Sequence, residues 1–177
     1  MGYWQTRGLR GNELEEIINI TNDMYRSKKM ALIQKIPTPI TPINIDKAKK
    51  VITLAYFEQK STVDYIGVVQ SVSVCFDAKE TTKKSIPLAN IHQHQIDFME
   101  DFIAQGGVAF IIVYFKHYET YFLLPFNVLK KYHDGAKNGE RKSIPYDAFE
   151  DAYKIEIEGG HYLHYLKPLQ KYVDDIV

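Results

Sequence analysis

Two aspartates and a lysine stand on neighbouring predicted strands of this 177-residue chain. Asp64 lies in the run of β-branched and aromatic residues 62–70, and Asp77 and Lys79 close the similar run 72–79. Strand side chains alternate between two faces, so Asp77 and Lys79 share one face. The two runs are separated by almost no sequence, which is typical of a tight hairpin. Such a hairpin can bring Asp64 near Asp77, although the sequence does not fix the register.

Two carboxylates beside a lysine suit hydrolysis of a phosphodiester by a divalent metal. Mg²⁺ prefers oxygen ligands, keeps several waters and takes its remaining ligands from phosphate. The metal polarises the phosphoryl oxygen and lowers the pKa of a bound water. Lys79 can orient that water or offset the negative charge of the transition state. The alternative interpretation is a structural ion pair, because charge pairs are common at strand ends.

The acidic-x-Lys triplet is not specific on its own, because the chain contains three. They are Glu58-Gln-Lys60, Asp77-Ala-Lys79 and Glu140-Arg-Lys142. The first lacks a convincing acidic strand before it, and the third lies in a polar, glycine-containing segment. Only the middle triplet closes an apolar strand and follows another strand that bears an aspartate. The sequence therefore favours Asp77 and Lys79 over the other two pairs.

The elements that must position these residues follow from apolar periodicity. Helical spacing predicts helices at 12–28, 92–105, 126–132 and 166–173, and extended patterns predict strands at 30–35, 62–70, 72–79, 108–115, 119–124 and 153–157. Residues 108–115 are all apolar, so we expect a central strand covered on both faces. Residues 47–57 fit a helix or a strand, and the polar residues 134–142 predict an exposed loop. The fold class is α/β, with a mixed sheet flanked by helices in one domain spanning residues 1–177.

Three prolines, Pro37, Pro39 and Pro42, exclude a helix and favour an extended segment at a sheet edge or projecting from the body. A plain linker is the alternative interpretation of this segment.

Composition excludes several classes of protein. The formal net charge is zero, with 22 basic and 22 acidic residues, which excludes a uniformly basic nucleic-acid-binding protein. Cys75 is the single cysteine, so an intrachain disulfide or a cysteine-built zinc site is excluded. No apolar stretch reaches the roughly 18 residues of a membrane span. We expect an intracellular, cytoplasmic protein without a membrane partner.

Histidines and one further acid are weaker candidates for ligands. His92 and His94 are two residues apart, a spacing that points them in different directions on a helix and argues against a zinc site. His161 and His164 are expected at a surface turn. Glu15 fits a capping box with Asn12, and a further metal contact is the alternative.

Several short motifs occur in one order along the chain. They are Leu14-Glu15, Asn19-x-Thr-Asn22, Lys35-x-Pro-Thr-Pro39, Ser61-Thr-Val-Asp-Tyr65, Phe76-Asp-Ala-Lys-Glu-Thr81, Pro87-Leu-x-Asn-Ile91, His94-Gln95 and Arg141-Lys-Ser-Ile-Pro145. Together they resemble the RecU family of Holliday junction resolvases, over roughly residues 8–150. Asp77 replaces the glutamate that some relatives carry, which shortens this side chain by one methylene.

The resemblance implies a restriction-endonuclease-like fold, a homodimer, and Mg²⁺-dependent paired nicks across a four-way DNA junction, with Mn²⁺ as an alternative ion. It implies a metal-binding set of Thr62, Asp64, Asp77 and Gln95, and Lys79 as the transition-state stabiliser. The proline-bearing segment matches the family's protruding stalk, here about residues 35–59, which enters the junction. A RecA-type recombinase and a branch-migration motor are further candidate partners. For phosphate contact we predict Arg7, Arg10, Lys35, Arg141 and Lys142.

Two rival hypotheses remain open at this point. A flap or duplex nuclease would use the same chemistry on another DNA shape. A non-catalytic accessory protein would bind junctions and modulate a strand-exchange protein or a motor. The trio Asp64, Asp77 and Lys79 argues against the accessory protein, since binding alone does not need these groups.

Overall fold

The structure is a computed structural model that describes residues 12–57, 62–158 and 162–176. Its four helices are α1 (Asn12–Ser27), α2 (Gln93–Ala104), α3 (Phe126–Lys137) and α4 (Leu166–Ile176). Its strands are β1 (Leu32–Lys35), β2 (Ile40–Asp46), β3 (Val51–Phe57), β4 (Tyr65–Val69), β5 (Val72–Thr81), β6 (Ser85–Pro87), β7 (Val108–Phe115), β8 (Thr120–Pro125), β9 (Ser143–Pro145), β10 (Lys154–Ile155), β11 (Ile157–Glu158) and β12 (Tyr162–Leu163). None of the helices in these ranges is long and apolar enough to cross a bilayer.

Six strands form one mixed sheet in the order β1-β4-β5-β7-β8-β10. β5 and β7 run parallel to each other, and the other neighbours are antiparallel. The expected α/β architecture, a mixed sheet flanked by helices, is confirmed. β7 is the predicted central strand, and almost all of its side chains are buried.

Each face of the sheet carries its own apolar core. The first core packs α1 and α4 against one face, with Val74 and Phe76 of β5 among its members. The second packs α2 and α3 against the other face and includes Cys75. Consecutive residues of β5 therefore enter opposite cores, as strand alternation predicts. The face of Cys75 is the one that also carries Asp77.

The predicted hairpin of β4 and β5 is confirmed, and its turn has an unusual backbone. Gln70 and Ser71 both have positive φ angles, of 45° and 78°. Two positive φ angles match the right-handed twist of a two-residue hairpin, but such positions usually hold Asn or Gly. The register pairs Tyr65 with Phe76.

The segment that follows the prolines is a separate hairpin. β2 and β3 pair only with each other, so residues 51–57 are extended and not helical. At the tip, the Asp46 carboxylate accepts hydrogen bonds from the backbone N–H groups of Ala48 and Lys49 at 3.0 Å. We call residues 40–57 the stalk hairpin. Residues 58 and 59 of the predicted stalk lie outside the described residues.

The predicted loop 134–142 is wrong in its first four residues, because α3 continues to Lys137. Lys130 and Asp134 form an ion pair of 2.7 Å one turn apart, which supports the extra turn. Gly135 lacks a side chain, and the Glu140 carboxylate occupies the space that a Cβ would need. Glycine is thus tolerated inside the helix because a later side chain packs against it.

The C-terminal segment is fastened to α1 by buried polar groups. The Tyr165 hydroxyl bonds to the Asn22 side chain, and the Leu163 N–H donates to the Thr21 hydroxyl at 3.0 Å. His164 is half-buried, and its Nδ1 lies 3.2 Å from the Tyr25 hydroxyl. His164 is therefore not the surface-turn residue that the sequence predicted, because α1 covers it. His161 lies outside the described residues.

Candidate active site

Asp64 and Asp77 meet where β5 extends beyond the start of β4. The pairing of Tyr65 with Phe76 places the preceding Asp64 opposite Asp77. The Asp64 N–H donates to Asp77 Oδ1 at 3.1 Å, and the Ala78 N–H donates to Asp64 Oδ2 at 3.0 Å. Each carboxylate therefore accepts a hydrogen bond from the segment that carries the other. The convergence that the sequence suggested is present in the structure.

Asp77 is fully buried and its second oxygen has two strong partners. Lys79 Nζ lies 2.6 Å from Asp77 Oδ2, with the Lys79 side chain 18% exposed. Gln95 Nε2 donates to the same oxygen at 2.7 Å. The aspartate is thus held by a cation and a neutral donor, which a buried carboxylate requires.

Burial and the closeness of Asp77 together raise the pKa of Asp64 to about 7. Burial of the Asp64 carboxyl is the largest cause, followed by its hydrogen bond to Asp77 and the negative charge of Asp77. The Ala78 N–H and Lys79 act in the opposite direction. Two carboxylates that resist joint ionisation are stabilised by a cation placed between them.

Gln95 joins this site to the first turn of α2. Its Oε1 accepts the backbone N–H of His92 at 3.0 Å in a capping box, so its amide nitrogen faces Asp77. The His92 and His94 rings are stacked, with centroids 5.5 Å apart and planes at 12°. The expectation that they diverge is wrong because His92 is extended and precedes the helix.

Backbone and ring contacts that the sequence analysis missed hold Asp64 in place. The Ile36 N–H, at the root of the stalk, donates to the Asp64 carbonyl at 2.8 Å. The next residue, Tyr65, is buried, stacks on Phe76 at 4.7 Å and donates its hydroxyl to Asn19 Oδ1 at 3.0 Å. The Asn19-x-Thr-Asn22 motif was the available signal for this contact.

Two other predicted residues lie near Asp64, Thr62 along the chain and Lys35 across the pairing of β1 with β4. Thr62 is half-buried and precedes Asp64 by two residues. Lys35 ends β1 beside Tyr65 and forms an ion pair with Glu15 of α1. The Glu15 carboxylate therefore pairs with Lys35. Asn12, its expected partner in a capping box, is the first residue of α1.

Two of the remaining predicted DNA-binding residues, Arg141 and Lys142, make no contact with the carboxylates. Arg141 and Lys142 are exposed in the segment before β9, and Arg141 Nε donates to the Ser143 hydroxyl at 3.2 Å. Within the described ranges, no hydrogen bond or ion pair joins them to Asp64 or Asp77. Arg7 and Arg10 lie outside the described residues.

The donor set fits Mg²⁺ better than a softer metal. Within residues 12–57, 62–158 and 162–176, no three His, Cys, Asp or Glu side chains are grouped to hold an ion. Two carboxylates are nevertheless sufficient for Mg²⁺, which keeps waters and takes further ligands from substrate phosphates. Burial raises the pKa of the Cys75 thiol to about 12, which makes it a packed side chain and not a thiolate ligand.

Comparison with known proteins identifies the family to which the chain is similar. The family model described as Recombination protein U matches residues 9–171. The Holliday junction resolvase RecU of Pediococcus pentosaceus is 41% identical over 174 residues, which cover 96% of this chain and 87% of that protein. The protein of the same name from Oceanobacillus iheyensis is 43% identical over 150 residues, covering 82% and 76%.

Among solved structures, the Holliday junction resolvase Hjc of Archaeoglobus fulgidus superposes with a TM-score of 0.39 and 10% identity, covering 66% of this chain and 73% of that one. So loose a superposition carries no weight for fold or function. The sequence matches do carry weight, and they show that the chain belongs to the RecU family.

Proposed function

We propose that this chain is a Holliday junction resolvase, a Mg²⁺-dependent endonuclease that makes paired, symmetric nicks in four-way DNA junctions. The observation that carries the proposal is the Asp64–Asp77 pair beside Lys79, in a chain whose RecU relatives are named as Holliday junction resolvases. A protein that only bound junctions would gain nothing from a buried aspartate in contact with a half-buried one.

The metal would be held by the carboxylates of Asp64 and Asp77, with Thr62 and Gln95 supplying neutral oxygens. Bound Mg²⁺, or Mn²⁺ in its place, supplies a Lewis acid and a water of lowered pKa. Gln95 Oε1 can serve only if its amide turns away from the His92 N–H. Asp64 must be ionised to bind a cation, which its raised pKa makes dependent on pH near neutrality.

Lys79 is the proposed stabiliser of the transition state. Its ammonium lies 2.6 Å from Asp77 Oδ2 and is mostly shielded from water, where a charge acts more strongly than in bulk solvent. From this position it can donate to a non-bridging oxygen of the attacked phosphate as negative charge develops there.

We propose a homodimer, since two symmetric nicks need two equivalent sites. The stalk hairpin supports this, because eight large apolar side chains are at least 45% exposed on it: Ile40, Ile43, Ile45, Val51, Ile52, Leu54, Tyr56 and Phe57. An isolated two-stranded hairpin with this composition needs a partner surface. The chain would form one nuclease domain whose stalk, about residues 35–59, enters the open junction.

The DNA backbone would be contacted by Arg7, Arg10, Lys35, Arg141 and Lys142. Lys35 has to exchange Glu15 for a phosphate, which costs little because an exposed ion pair contributes at most about 1 kcal/mol. We propose a cytoplasmic location, with a RecA-type recombinase and a branch-migration motor as further partners.

The decisive experiment is incubation of the purified protein with four-way junctions labelled on each strand, with Mg²⁺ or with a chelator. We expect two nicks at symmetric positions, on strands of like polarity, only with Mg²⁺. A flap and a linear duplex serve as competing substrates. Equal cleavage of all three would identify a general nuclease, and tight binding without cleavage would identify an accessory protein.

A second experiment tests the stalk. Pro42 and Ala55 are paired across the hairpin, so a two-residue Asn-Gly turn in place of residues 43–54 joins strands that already face each other. We expect weaker junction binding and loss of the preference for junctions over duplex. Unchanged preference would return this segment to the role of a linker.

A further inference from the structure

A polar cavity of about 270 Å³ lies at the carboxyl end of β5. Its walls come from Thr81 at the end of the strand, from Thr82 and Lys83 directly after it, and from Asn90 in the turn that leads into α2. β5 carries Asp77 and Lys79, and α2 carries Gln95. The cavity is therefore enclosed by continuations of the same two segments that form the candidate active site.

Lys83 contributes a positive charge to this cavity that no carboxylate neutralises within the described ranges. Glu80 also lines the wall, but its Oε1 is 2.9 Å from Lys116 Nζ, so the carboxylate is neutralised. Lys83 forms no ion pair with any residue in the described ranges. Its backbone is braced, because the Lys83 N–H donates to the Thr81 hydroxyl at 3.1 Å, and that hydroxyl donates to the Ser85 carbonyl at 3.2 Å.

The lining chemistry is that of a phosphodiester site. One free ammonium group, the hydroxyl of Thr82 and the amide of Asn90 are donors to phosphate oxygens without base specificity. A strand rises about 3.3 Å per residue, so Thr81, which ends β5, lies roughly 7 Å beyond Lys79. Successive phosphates of one strand are separated by the axial rise and by the winding of the duplex, so the cavity lies within a few nucleotides of the candidate active site.

We propose that this cavity, through Lys83, binds a backbone phosphate of the cleaved strand within a few nucleotides of the nicked bond. The inference rests on the proposed nuclease function and extends it by a contact that sets where the strand lies. The contact would add to those proposed for Lys35, Arg141 and Lys142, and would hold the cleaved strand close to the metal.

The first test measures junction affinity against salt concentration for Lys83→Ala, with Ca²⁺ in place of Mg²⁺ to prevent cleavage. Loss of one phosphate contact should lower the slope of log K against log salt by about 0.9, which is roughly an eightfold loss of affinity at 0.1 M salt if the lines meet near 1 M. Lys84→Ala is the matched control, because Lys84 is exposed next to Lys83 but does not line the cavity. Thermal unfolding of both variants verifies that they are folded.

The second test assigns the contact to one phosphate. A neutral methylphosphonate is placed singly at positions one to six nucleotides on either side of the mapped nick. At one of these positions, it should weaken binding by the wild-type protein and have no added effect on Lys83→Ala. Additive losses at every position, or an unchanged salt slope for Lys83→Ala, would overturn the proposal.

The outcome is separable from that of the proposed function. If the wild-type protein nicks junctions symmetrically while Lys83→Ala and Lys84→Ala bind alike, only the phosphate site is wrong. If the wild-type protein fails to nick junctions in Mg²⁺, the nuclease assignment itself is wrong.

Discussion

Replacing Asp64 by asparagine should stabilise the metal-free protein at pH 8 and stabilise it clearly less at pH 5. The pKa of Asp64 is raised from 3.8 to about 7 in the folded protein. The folded state therefore binds this proton more tightly than the unfolded chain, and stability is lost as the pH rises from about 4 through 7. Asparagine has no charge to lose, and its amide can still accept the Ala78 N–H.

The size of the effect follows from the shift. A rise from 3.8 to about 7 corresponds to about 4 kcal/mol at 1.36 kcal/mol per pH unit. Asp64 is only partly buried and shares its proton with Asp77, so we take about half of this, roughly 2 kcal/mol. For a chain of this length, 1 kcal/mol shifts Tm by about 2–4 °C, so the expected gain at pH 8 is about 4–8 °C.

The assay is thermal unfolding in a chelator at pH 5 and pH 8, with Asp23→Asn on the exposed side of α1 as the control. Added Mg²⁺ should raise the Tm of the wild-type protein at pH 8, because a ligand of the native state stabilises it. The difference in Tm between Asp64→Asn and the wild-type protein should therefore become smaller. An equal gain at both pH values, or no gain at pH 8, would refute the argument that the two carboxylates repel each other.

Three further substitutions test other parts of the structure. Asp77→Asn should abolish junction cleavage and leave junction binding nearly intact in gel shifts; a normal nicking rate would remove this carboxylate from the site. Gly67→Ala would place a Cβ 2.2 Å from the Leu32 carbonyl oxygen, so β1 must move, at a cost of about 3 kcal/mol in urea unfolding. Wild-type stability would mean that β1 is loosely held. Tyr165→Phe leaves the buried Asn22 oxygen without its donor and should lower the free energy of unfolding by about 1–3 kcal/mol. A negligible change would mean that water takes the place of the hydroxyl.

The central part of the fold could be predicted because its signals are local. The all-apolar run 108–115 can be stable only with both faces covered, and it is the central strand β7. The alternation in β5 placed Asp77 on a face with Cys75, and the short connection to β4 implied a hairpin. These features need only the periodicity of a strand and the length of a turn.

Contacts that depend on tertiary packing were not predictable in this way. The register of Tyr65 against Phe76 fixes which acid meets Asp77, and it depends on packing against α1. The last turn of α3 exists because Glu140 packs against Gly135, which no local propensity reports. The ion pair of Glu15 with Lys35 joins residues that only the finished sheet brings together.

The turn between β4 and β5 is a position at which the stability of this fold can be raised. Both of its central residues, Gln70 and Ser71, occupy the left-handed region, where each non-glycine residue costs of order 1 kcal/mol. Asn-Gly at these two positions would adopt the same backbone without strain. This turn lies at the end of the hairpin that is remote from Asp64 and Asp77. Homologues and engineered variants can therefore gain thermal stability there without changing the candidate active site.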